Sequence, residues 1–80
     1  MRPELVEKAA QIVPELPLLI NMVSTRVAQL SRGRAPLVML PPSYGSADIA
    51  LTEIIEGKII LNPDGAVAEA EGDFMASIGG

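Results

Sequence analysis

PLLINMVSTRVAQL, Pro17 to Leu30, carries the spacing of an amphipathic helix. At 3.6 residues per turn, Leu19, Ile20, Val23, Val27 and Leu30 fall on one apolar arc. Asn21, Ser24, Thr25, Ala28 and Gln29 take the other side. Pro17 suits a first helical position, where its missing N–H would have no intrahelical partner. Gly33 suits a stop, because glycine reaches left-handed backbone without steric penalty. One residue breaks the pattern. Arg26 lies at the edge of the apolar arc, between Met22 and Leu30. Either it lays its stem on apolar surface and keeps its head in water, or its charge pairs across a contact with another element or another chain.

Outward from this helix, the preceding stretch from Pro3 to Val13 reads as a shorter one. Leu5, Val6, Ala9, Ile12 and Val13 recur at helical spacing, and Glu4 complements the dipole in the first turn. Pro14 ends it, and the short linker PELP folds it back on the main helix. After Leu30 comes SRGRAP, basic and turn-rich. Leu37 to Leu40 is apolar and bracketed by Pro36 and Pro41-Pro42, which favours extended chain: a loop that plugs the core, or an arm laid on a partner.

Ser46 is placed to cap a third helix over Ala47 to Glu56, closed by Gly57 and Lys58. Ala47, Ala50, Leu51, Ile54 and Ile55 form its apolar arc, and Asp48, Thr52, Glu53 and Glu56 read as a solvated face. Ile49 falls among those polar residues, either exposed and idle or part of a second contact surface. KIIL then reads as extended, and NPDG is turn chemistry, so a small hairpin between Lys58–Leu61 and Ala66–Glu69 is possible. From Ala70 onward the chain is acidic and glycine-ended and reads as a loose tail.

Composition narrows the function classes. Hydrophobic residues make up 49% of only 80 residues, more apolar side chain than so small an interior can hold, so an apolar face covered by a partner is expected. A net charge of −4 argues against independent nucleic-acid binding. There is no cysteine and no histidine, which removes thiolate metal sites and the usual nucleophilic triads. No glycine-rich phosphate loop occurs, and no cofactor is expected. No apolar run approaches a membrane span, and MRPELVEK lacks the apolar core of a signal peptide, so a cytoplasmic location is expected.

The chain also shows an ordered pair of motifs. A helix with Asn21 and Arg26 ends in Gln29-Leu30; Gly33-Arg34 and Pro36-Leu37-Val38 follow; DIALTEIIEGKI runs from Asp48 to Ile59. The pairing of RxxQLxxGxxPLV with IALxEIxEGKI resembles the omega subunit of bacterial DNA-directed RNA polymerase, over roughly Val6 to Ile60. The resemblance implies an all-α, non-catalytic domain over residues 1–61, a small three-helix unit with an extended arm, followed by a turn and an acidic tail over 62–80. It implies an accessory subunit that clamps the beta prime subunit and assists its folding and assembly into core enzyme. Arg26, Leu30, Pro36, Leu37, Val38, Ile49, Glu53 and Ile54 form the expected partner-facing set. Some members of that family bind the alarmone guanosine tetraphosphate through a basic N-terminal stretch, of which this chain holds only Arg2. A nucleotide-sensing module using Arg2, Arg32 or Arg34 is one alternative, and an unrelated interaction protein of the antitoxin-partner kind is another.

Overall fold

The computed structural model describes residues 1–70, so the acidic segment from Glu71 to Gly80 lies outside the described residues. The element order is α1 (Pro3–Ile12), α2 (Leu16–Ser31), α3 (Ser46–Ile55), β1 (Ile59–Leu61) and β2 (Val67–Glu69). The chain is mostly helical, as expected, but not purely so. The two strands pair antiparallel, with Ile59 opposite Glu69, Ile60 opposite Ala68 and Leu61 opposite Val67. This is the hairpin that the turn chemistry allowed, and it adds a small sheet to the all-α expectation. The Asn62 carbonyl accepts from Gly65 N–H at 2.9 Å, and the Asp64 carboxylate accepts from Ala66 N–H at 2.9 Å. Asparagine, proline, aspartate and glycine each meet a geometric need of that turn.

α3, not α2, is the centre of the packing. It lies against both α1 and α2, which touch each other far less. Ala50, Leu51 and Ile54 of α3 form the core with Ala9 of α1, with Leu19, Met22 and Val23 of α2, and with Ile59 and Val67 of the hairpin. A helix flanked on two sides cannot keep a broad solvated face. Accordingly Asp48, Thr52 and Glu53, expected in water, are buried, and only Glu56 of that group is exposed. Thr52 Oγ1 donates back to the Asp48 carbonyl at 2.8 Å, and the Asp48 carboxylate accepts from Arg2 N–H at 2.8 Å.

The buried stripe of α2 is rotated from the expected arc. Leu19, Met22, Val23 and Arg26 are buried, whereas Ile20 is 55% exposed. Separations of three (Leu19 to Met22, Val23 to Arg26) and four (Leu19 to Val23, Met22 to Arg26) still trace one helical face. α3 begins at Ser46 itself with Gly45 at the N-cap, and no side chain caps it, which corrects the capping role expected of Ser46.

The chain leaves α2 and α3 through the same device. Gly33, at φ 107°, donates to the Leu30 carbonyl while Arg34 N–H reaches the Gln29 carbonyl. Gly57, at φ 70°, donates to the Ile54 carbonyl while Lys58 N–H reaches the Glu53 carbonyl at 2.8 Å. Each is a Schellman turn, which satisfies two otherwise orphaned carbonyls and reverses the chain. A Cβ at Gly57 would meet nothing within 4 Å, so the penalty there is backbone strain alone. Gly57→Ala should therefore lower stability by about 1–2 kcal/mol, and Gly57→Asn by less, in urea denaturation.

Candidate functional site

Arg26 is fully buried, and so is Glu53. Arg26 Nε donates to Glu53 Oε1 at 2.7 Å and Nη2 donates to Oε2 at 3.0 Å, a two-pronged pair joining α2 to α3. The planar guanidinium fork matches a carboxylate edge, which lysine could not do. The hydrogen bonding that Arg26 donates to Glu53 is the main cause that raises its pKa above the ordinary value, with burial acting against it. Arg26 is thus charged at every working pH. The surface arginine considered in the sequence is not what forms; the charge pairs with another element of the same chain.

The pair holds more than two helices. Glu53 Oε2 also accepts from the backbone N–H of Leu37 at 2.9 Å, and Arg26 Nη2 donates to the Ala35 carbonyl at 3.4 Å. Both contacts fall on the segment after α2, so the buried charges fix the root of the proline-bracketed arm. Arg26 Nη1 donates to Gln29 Oε1 at 3.0 Å, and Gln29 Nε2 donates to the Val67 carbonyl at 2.9 Å, which ties the hairpin into the same network. Glu69 adds a longer contact, its carboxylate lying 3.8 Å from Arg26 Nη1 and 3.9 Å from Arg34 Nη1. Among the described residues, no buried side-chain nitrogen or oxygen is left without a hydrogen-bond partner. A charge pair out of water is tolerable only when its remaining donors and acceptors are filled in this way.

What the network presents is apolar. Leu37, Val38 and Leu40 are half-buried along the arm, whereas Met39 is 98% exposed. A second apolar surface lies between α1 and α2. There Val6, Leu16, Leu19, Ile20, Val23 and Leu51 line a cavity of about 100 Å³, with Met1 at its edge. Met1, Leu16 and Ile20 are each more than half exposed, which agrees with the excess of apolar side chain over interior.

The expected partner-facing residues are not one patch. Arg26, Glu53 and Ile54 are inside the core. Leu30, Leu37, Val38 and Ile49 are half-buried, and Pro36 is exposed. Arg2, the expected ligand residue, places its guanidinium 3.9 Å from the centroid of the Tyr44 ring, a cation–π contact. Met39 and Glu69 are not singled out by the sequence, and Gln29 only as part of the motif that ends the main helix. The available signal was a base stranded on an apolar arc of one helix and an acid on another, opposite charges that could meet. Among the described residues there is no cluster of acidic side chains able to hold a metal, and no helix is long and apolar enough to cross a membrane.

No family model matches the chain, and no solved structure matches it. A curated relative does. The DNA-directed RNA polymerase subunit omega of Wolinella succinogenes is 44% identical over 46 residues, which is 56% of this chain and 65% of that protein. The chain therefore spans just under two thirds of the length of the curated relative it matches, and over that span it is similar to an RNA polymerase omega subunit.

Proposed function

We propose that the chain is a non-catalytic accessory subunit of bacterial RNA polymerase, which binds the beta prime subunit and promotes its folding and assembly into core enzyme. The observation that carries this reading is the likeness to an omega subunit over 46 residues. The fold supplies a physical means. A small domain with fully satisfied buried charges holds an apolar arm rigid, so little ordering entropy is lost when the arm docks. In this reading Leu30, Pro36, Leu37, Val38 and Ile49 meet the partner, joined by Met39. Arg26, Glu53 and Ile54 act from within, by holding the surface in shape. The partner and the chain lie in the cytoplasm. A nucleotide-sensing role has less support, because Arg2 already faces Tyr44 and its backbone N–H is bonded to Asp48.

The test is refolding of denatured beta prime with and without the chain. The proposal expects a higher yield of soluble beta prime in its presence; equal yields at saturating chain would count against it. Two variants refine the surface. Ile49→Ala should weaken association by about 1–3 kcal/mol and leave the free chain folded, since Ile49 is only half-buried. Leu51→Ala, with Leu51 at 1% exposure, should instead destabilise the free chain by about 2–5 kcal/mol. Circular dichroism and partner affinity, measured on both, separate a contact residue from a core residue.

A further inference from the structure

At the C-terminal end of α2 the surface opens into a shallow polar hollow of about 460 Å³, lined by Gln29, Arg32, Gly33 and Arg34. Arg32 and Arg34 are exposed on either side of the glycine. Their backbones are fixed, because Arg32 N–H reaches the Ala28 and Gln29 carbonyls at 3.1 Å and Arg34 N–H reaches the Gln29 carbonyl at 3.1 Å. The same turn pairs the Ala28, Gln29 and Leu30 carbonyls at the end of the helix. The other arginines are committed elsewhere, Arg2 over Tyr44 and Arg26 against Glu53. Among the described residues Arg32 has no ion pair. In a chain of net charge −4, this turn is a local reversal of sign.

We propose that the hollow is a docking site for an acidic, extended segment of a partner protein. Charge complementarity selects the class, and the chain itself displays the chemistry. Glu69, on the extended strand β2, brings a carboxylate to 3.9 Å from Arg34 Nη1. That distance is well beyond the roughly 2.7–2.9 Å of a strong charge-assisted hydrogen bond. The two side chains are 55% and 43% exposed, so the contact is weak and displaceable. A second carboxylate strand running past the same turn would give both guanidinium forks planar partners. A nucleic acid fits less well. The overall negative charge repels a polyanion, and no aromatic ring lines the hollow to stack a base.

The test uses the ¹⁵N-labelled 80-residue chain, titrated with an acetylated and amidated peptide of four Glu-Thr repeats. A peptide of four Gln-Thr repeats and an eight-nucleotide oligodeoxythymidylate serve as comparisons. The acidic peptide should shift the Gly33 and Arg34 amide signals and the Nε–H signals of Arg32 and Arg34, and the response should fade as salt is raised. The double variant Arg32→Gln/Arg34→Gln should bind about tenfold or more weakly while its circular dichroism is unchanged, and Lys8→Gln should bind like the parent. Glu69→Gln, which removes the resident carboxylate, should tighten binding about two- to fivefold. An equal response to the Gln-Thr peptide, parental affinity in the double variant, or preferential binding of the oligonucleotide would each overturn the proposal.

Discussion

Arg26→Met should lower the stability of the free chain by about 3–5 kcal/mol, because it leaves the Glu53 carboxylate buried without its counter-charge. Methionine fills much of the volume, so the effect is electrostatic and not a cavity. A domain of this size has a total stability of roughly 4–12 kcal/mol, and one substitution would remove much of it. The double variant Arg26→Met/Glu53→Leu should be less destabilised than the sum of the two single variants, since neither charge is then stranded. It should not return to the parent, because the Leu37 N–H, the Ala35 carbonyl and the Gln29 side chain lose their partners. The pH dependence has a definite sign. A folded-state pKa raised above the unfolded one gives stability that is present below the unfolded value and lost only as pH climbs through the folded value. For an arginine that window lies in strong alkali, so the penalty of Arg26→Met from this source should be flat from about pH 6 to about pH 10. Urea denaturation of the four proteins checks both statements. Simple additivity would show that the pair is not a coupled unit.

Met39→Asp should abolish association with the partner while leaving the free chain as stable as the parent. Met39 is 98% exposed, so the folded monomer gains almost nothing from its side chain. An apolar side chain held out on an anchored arm is suited to insertion in an apolar cleft, where it would contribute about 2–3 kcal/mol. Aspartate forfeits that contact and also carries an unpaired charge into the cleft. The loss should reach about 3 kcal/mol or more, over a hundredfold in affinity. Met39→Leu should retain most of the binding, as a volume-conserving apolar replacement. Unchanged affinity in Met39→Asp would remove the arm tip from the contact surface.

The helices were legible because their determinants are local. Proline in the first turn of α1 and of α2, glycine just after α2 and α3, and apolar residues at three- and four-residue spacing are all written within a few residues of their effect. The hairpin was legible from NPDG for the same reason. The rotation of the α2 stripe was not. Its buried face is set by where α3 lies, and a charged residue at position 26 counts as polar in any periodicity, although Glu53 makes it an interior residue. Glu53 and Asp48 look solvated until a partner from a distant segment fills their hydrogen bonds, and Thr52 until its hydroxyl turns back to the Asp48 carbonyl of its own helix. Met39 was passed over because its neighbours Leu37, Val38 and Leu40 are equally apolar, and only the course of the arm decides which of them stands outside.

The most direct measurement is co-expression of the untagged chain with affinity-tagged beta prime, followed by purification and quantification of the two chains. The proposed function predicts recovery of the parent chain in a one-to-one ratio with beta prime, with Met39→Asp missing from the same preparation. Absence of the parent chain from purified beta prime, with both proteins soluble and expressed, would contradict it.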